Sequence, residues 1–170
     1  MSASSSRGRL EYLYSSAKEE WATPRQFFDM LDAEFHFTLD PCATAENAKV
    51  EQFFTRESDG LKQSWSGSVF MNPPYGRDIR KWMAKAYMES RRGSVVVCLI
   101  PARTDTRYWH EFVMHADDIR FVRGRLRFEG GAHSAPFPSV VVIFRPGRNG
   151  PPRVTSMRDR KRHQQERPSW

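Results

Sequence analysis

An α/β fold is predicted, with a mostly parallel sheet and an antiparallel part near its C-terminal end. Three observations lead there. Short apolar runs, above all Val69-Phe70-Met71 and Ser94 to Ile100, read as buried strands. Segments with helical spacing of apolar residues lie between such runs. The alternation of the two favours layered strands and helices over a bundle or a sandwich.

Taken in order, residues 1 to about 20 are polar and without periodicity. Thr23 is placed to cap a helix with Pro24 at its first position, and Phe27, Phe28, Leu31 and Phe35 follow on one face. A short strand, His36 to Leu39, is expected to end at Asp40. The strand at Val69 to Met71 stops at Asn72-Pro73-Pro74-Tyr75, because two prolines cannot continue a ladder. A helix from about Asp78 to Arg92 carries Ile79, Trp82, Met83, Ala86 and Tyr87 on one stripe and is closed by Gly93. After the strand ending at Ile100 comes a helix holding Trp109, Phe112 and Val113. Three short strands are expected around Ile119 to Val122, Leu126 to Phe128 and Ser139 to Phe144. No internal repeat is present.

With 170 residues and 39% hydrophobic content, the chain has room for one compact domain, expected over residues 21–145 between a flexible segment 1–20 and a basic disordered tail 146–170. The net charge of +7 favours a polyanionic partner. The final 25 residues hold seven cations against two acids, or +5, so the remainder carries only +2. The tail has four of the eleven prolines and few aliphatic residues, too little apolar surface to offset ordering entropy. Only two cysteines occur, Cys42 and Cys98, without the spacing of a zinc site or a disulfide framework. His110 and His115 are five apart and do not share a helix face, so no metal is expected. No membrane-spanning run or classical export signal is read, and a reducing cytoplasm fits.

In open α/β sheets, ligands gather beyond the carboxyl ends of strands. Three strand ends carry informative residues: Asp40-Pro41-Cys42, Asn72-Pro73-Pro74-Tyr75 and Pro101-Ala102-Arg103. The second presents the Asn72 side-chain carbonyl, a Pro73 carbonyl that no following amide claims, and the ring of Tyr75. Two acceptors and an aromatic face suit a planar ring with an exocyclic amine. Acceptors on the two N–H groups favour a pyramidal nitrogen and localise its lone pair for attack on a methyl sulfonium. A turn that merely ends a strand is the bland alternative.

In this order along Trp21 to Phe144, several motifs resemble the phage-type DNA adenine-N6 methyltransferases of the Dam family. They include Trp21-Ala22-Thr23-Pro24, Phe37-Thr38-Leu39-Asp40-Pro41-Cys42-Ala43, Asp59-Gly60-Leu61 with Trp65, and Asn72-Pro73-Pro74-Tyr75-Gly76. Leu99 to Thr106, Gly124-Arg125-Leu126-Arg127-Phe128 and Ala135-Pro136-Phe137-Pro138-Ser139 continue the series. The resemblance implies a Rossmann-like class I methyltransferase sheet and S-adenosyl-L-methionine as cofactor. It implies double-stranded DNA as partner, and a bacterial host cytoplasm with phage or prophage origin and protection against restriction. Asn72, Pro73, Pro74 and Tyr75 then stand as catalytic. Thr23, Pro24, Asp40, Pro41, Cys42 and Asp59 stand as cofactor-binding.

Where many methyltransferases have a Gly-x-Gly turn, Asp40-Pro41-Cys42-Ala43 stands instead. Asp40 and Asn72 are too close in sequence for two complete βα units, so the cofactor half is expected to be abbreviated. Cys42 could be read as a nucleophile, but no nearby histidine would activate it, and a small buried thiol is commoner. Arg103 follows a strand end, and Arg120, Arg123, Arg125 and Arg127 cluster about Gly124. Arg103, Arg123, Arg125 and Arg127 are candidate DNA contacts, against the reading of the cluster as a solvated hairpin. Trp82 and Trp109 read as core. The alternatives in function are a methyltransferase acting on RNA or a protein glutamine, and a DNA-binding module without turnover.

Overall fold

The computed structural model describes residues 21–129, 134–147 and 149–159. The first helix, α1 (Arg25–Phe35), buries Phe27, Phe28 and Leu31 and ends where His36 takes a left-handed conformation, φ 51°. Thr23 does not cap it: the N-cap position falls on Pro24, without a side-chain cap bond. The Glu129 carboxylate instead accepts from the Arg25 backbone N–H at 2.9 Å, satisfying one of the donors a helix start leaves open.

Five strands form one sheet: β1 (Ser68–Met71), β2 (Val95–Pro101), β3 (Asp118–Arg123), β4 (Ser139–Phe144) and β5 (Arg153–Arg158). Their order is β1-β2-β4-β3-β5. β1 and β2 are parallel, as are β3 and β5, while β4 is antiparallel to both of its neighbours. Four strands therefore point one way and β4 alone runs against them, the α/β sheet expected from the sequence. Helix α2 (Ile79–Arg91) connects β1 to β2, and Gly93 at φ 116° makes the turn that releases it. Helix α3 (Arg107–Glu111) and a 3-10 turn, Val113–His115, lie between β2 and β3.

Both faces of the sheet are covered. Phe28 of α1 packs edge-on to Phe70 at 5.1 Å, while Tyr87 of α2 meets Phe144 at 6.0 Å and Trp109 of α3 stacks on Phe121 at 6.3 Å. Asp118 pairs in register with Ile143, and side chains one residue apart on a strand point to opposite faces, so α1 lies on one side and α2 with α3 on the other. Double coverage is the reason β2 and β4 read as unbroken apolar runs.

Three further sequence expectations are corrected. His36 to Leu39 is no strand: only Leu39 and Asp40 make single bridges, to Val69 and Phe53. Leu126 to Phe128 runs without strand pairing, because these residues turn away from the sheet to bury Leu126 and Phe128 among other aromatics. The disordered tail expected from 146 is interrupted by β5, which docks along β3 over Arg153–Arg158. Its composition reads as disordered because its side chains are mostly exposed, and its placement comes from backbone pairing and from Arg153 bonding Asp118 at 2.6 Å. The expectation for residues 1–20 lies outside the described residues, as does that for residues 160–170.

Candidate active site

The Leu39 bridge to Val69 sets Asp40 beside the carboxyl end of β1, so Asp40-Pro41-Cys42 and Asn72-Pro73-Pro74 emerge next to each other from the same edge. Between Cys42 and the start of β1 at Ser68 the chain makes no helix and no named strand, so no complete βα unit fits in this stretch. A cleft of about 800 Å³ opens here, within the usual size of small-molecule sites. Thr23, Asp40, Pro41, Cys42 and Asp59 line it, together with Asn72, Pro73 and Pro74. Pro24 does not line it but starts α1, and Tyr75 stands behind Asn72.

The Asn72 amide is held from both ends. Its Nδ2 donates to the Trp21 carbonyl and to Thr23 Oγ1 at 2.9 Å, and its Oδ1 accepts from the Tyr75 hydroxyl at 2.7 Å. Both amide donors are engaged by acceptors, which fixes the orientation and leaves Oδ1 one further lone pair. Thr23 thus serves Asn72 rather than the helix start. The Pro73 carbonyl accepts no hydrogen bond among the described residues. Tyr75 is buried, its hydroxyl reaching the Leu99 carbonyl at 3.3 Å and its ring crossed by Phe137 at 5.4 Å and Phe128 at 6.2 Å.

Asp40 is 5% exposed and accepts from the Cys42 backbone N–H at 3.2 Å. Burial pushes its carboxyl up to about 7, against the pull of the Cys42 amide and the Lys49 charge. Burial raises the Cys42 thiol far above its ordinary range, with the Asp40 charge adding to it, so the thiol is a poor nucleophile.

Several contributors were not legible in the sequence. A Cβ on Gly60 would lie 1.9 Å from the Pro41 carbonyl oxygen, so only glycine lets the Asp59-Gly60-Leu61 turn close against the Asp40-Pro41 segment. An Asp-Gly pair is a local turn signal and carries nothing about which segment the turn will meet. Trp65 fixes this turn by donating from Nε1 to the Gly60 carbonyl at 2.8 Å, and stacks on Trp82, which is both core and cleft wall. Glu129 accepts from Lys49 at 2.8 Å, and its N–H donates to the Ala22 carbonyl at 2.8 Å, tying the Trp21 to Thr23 segment across the cleft mouth. No local pattern marks Glu129, since its partners lie up to 107 residues away in sequence.

The predicted arginines separate into two groups. Arg120 is neutralised by a bidentate contact to Glu34 at 2.6 and 2.7 Å and belongs to the structure. Arg103, Arg123, Arg125 and Arg127 are exposed, lie outside the cleft lining, and make no ion pair among the described residues.

Residues 12–167 match the family described as DNA N-6-adenine-methyltransferase (Dam). The chain belongs to that family. A DNA N-6-adenine-methyltransferase of Haemophilus phage HP1 is 30% identical over 77% of this chain and 81% of its own length. One from Escherichia phage T1 is 30% identical over 65% of this chain, which spans 48% of that relative. A crystal structure of a predicted O-methyltransferase from Agrobacterium tumefaciens, 18% identical over 62% of this chain and 52% of the other, aligns at a TM-score of 0.33, too slight a likeness to build on. Membership of this family implies a methyl donor. Among the described residues, no helix is long and apolar enough to cross a membrane.

Proposed function

We propose that this protein methylates the N6 amine of adenine in double-stranded DNA, on a base extruded from the stack, with S-adenosyl-L-methionine as donor. The observation that carries the reading is the doubly held Asn72 amide beside the unclaimed Pro73 carbonyl, at the edge of a cleft whose family is adenine-directed.

The cleft residues fit that cofactor. A buried carboxylate that makes no ion pair among the described residues, Asp40, suits a cationic ligand; Trp82, Phe70 and Leu61 offer apolar wall to a ring; the Gly60 approach leaves backbone rather than side chain at the turn. When bound, S-adenosyl-L-methionine supplies an electrophilic methyl group on a sulfonium. Thr23, Asp40, Pro41, Cys42 and Asp59 would hold it.

The remaining chemistry belongs to the chain. Asn72 Oδ1, through its second lone pair, and the Pro73 carbonyl accept the two N–H groups of the amine, drawing its lone pair out of the ring toward the donor side. Pro74 disfavours helical backbone at Pro73, and the Pro73 carbonyl accepts no hydrogen bond among the described residues. Tyr75 orients Asn72 through its hydroxyl, and its ring meets the base only if Phe137 and Phe128 part from it. With the amine so held, its nitrogen would be placed to take the methyl group that the donor's sulfonium supplies, and an amine proton would pass to solvent.

Incubation with labelled cofactor and unmethylated duplex is the test, with RNA and protein as parallel acceptors. Label in N6-methyladenine, lost in Asn72→Ala while cofactor binding persists, is expected. Cofactor binding without label in DNA, or label only in RNA or protein, would overturn the proposal.

A further inference from the structure

The Lys and Arg side chains divide by position. Along the helices, Arg25, Arg80, Lys81, Lys85, Arg92 and Arg107 each pair with a carboxylate. Arg103, after β2, and Arg123, Arg125 and Arg127, at and after the end of β3, make no ion pair among the described residues. Arg158, the last residue of β5, shares that condition. β2, β3 and β5 point the same way, so these guanidinium groups all lie at the carboxyl edge of the sheet, the edge that carries Asn72.

Register makes Arg158 part of this row. In the parallel β3–β5 ladder Arg123 stands beside Arg158, and Asp118 beside Arg153. Positions 118 and 123 differ by an odd number, so Asp118 and Arg123 face opposite sides of the sheet. Asp118 binds Arg153 on one side at 2.6 Å and Arg145 at 2.8 Å, and thereby sets which side Arg158 takes. A slip of one residue would turn Arg158 to the far face. Two exposed guanidinium groups held side by side without a carboxylate repel each other, an arrangement that an anion relieves.

We propose that β5 is part of the DNA-binding surface, and that Arg158, paired with Arg123, contacts phosphates of the duplex whose adenine enters the cleft. This rests on the DNA-methylating function proposed above. The strands from β2 to β5 span three inter-strand spacings, about 14 Å, which matches about four steps of B-DNA at 3.4 Å rise per strand. Alternation of exposed Arg125 and Arg127 with buried Leu126 and Phe128 anchors the middle of the row to the same aromatic group that covers Tyr75.

The test is fluorescence anisotropy of full-length protein with a labelled unmethylated duplex over a range of KCl concentrations. Removal of one phosphate contact lowers the slope of log affinity against log salt by about 0.9. Arg158→Ala and Arg123→Ala are each expected to show that loss and several-fold weaker binding, while Arg91→Ala, at the opposite edge, leaves the slope unchanged. Arg158→Gln keeps the aliphatic stem and is read in place of Arg158→Ala if the latter lowers Tm. Wild-type slope and affinity in Arg158→Gln, with Arg123→Ala impaired, would overturn the role of β5. Absence of salt-dependent duplex binding by the wild-type protein would instead overturn the proposed function.

Discussion

The Tyr75 hydroxyl donates to Asn72 Oδ1 at 2.7 Å, so the aromatic residue of the Asn-Pro-Pro-Tyr turn acts as a clamp on the asparagine before any base arrives. Tyr75→Phe keeps the ring among Phe128 and Phe137 and removes this bond together with the longer contact to the Leu99 carbonyl. One neutral hydrogen bond is worth about 1 kcal/mol, so a fall in kcat of roughly five- to tenfold is expected. Cofactor affinity, measured by calorimetry, should be unchanged. Asn72→Ala removes an acceptor of the amine itself and should cost about 10²–10³-fold in kcat.

Asp40 gives the ligand-free protein an unusual pH dependence. Its folded carboxyl, held near 7 by burial, lies above its unfolded value, so its stabilising contribution is complete below about pH 4 and is lost as pH rises through 7. Asp40→Asn should remove a slope of up to about 1.4 kcal/mol per pH unit between those limits. Chemical denaturation of both proteins at pH 5 and pH 8 checks this: the variant should gain relative to wild type at pH 8. It should also bind the cationic cofactor more weakly.

Gly60→Ala places a methyl group into the Pro41 carbonyl, 1.9 Å away before any adjustment. Separation of the two turns should cost about 1–3 kcal/mol and lower Tm. Because Asp59 and Pro41 both line the cleft, cofactor affinity should fall more steeply than Tm alone predicts, which calorimetry on the folded variant measures.

Asp118 behaves oppositely to Asp40. Burial works to raise its carboxyl, but the hydrogen bonds and charges of Arg153 and Arg145 prevail and hold it at about 2. Its contribution is therefore present above the unfolded value near 4 and disappears as pH falls through 2. Asp118→Asn should destabilise by about 2–4 kcal/mol at neutral pH, and acid titration should show the difference from wild type vanishing near pH 2. Loss of the β5 anchor should also weaken the duplex binding described above.

Local pattern was enough for much of this protein. The apolar runs of β1, β2 and β4, the stripe on α2 and the proline stop after Met71 are read from residues within a few positions of one another, where burial and backbone sterics act directly. The ordered motifs also fixed the family. Tertiary structure decided the rest, because it concerned residues that meet only after folding. Thr23 reads as a helix cap until Asn72 arrives to take its hydroxyl, and Tyr75 reads as an open stacking face until Phe128 and Phe137 cross it. β5 reads as tail because its order comes from ladder bonds to β3 and one salt bridge to Asp118, neither of which leaves a hydrophobic signature in sequence. Glu129 and Gly60 acquire their roles from contacts across the cleft, where backbone approach and charge placement, rather than composition, set the geometry.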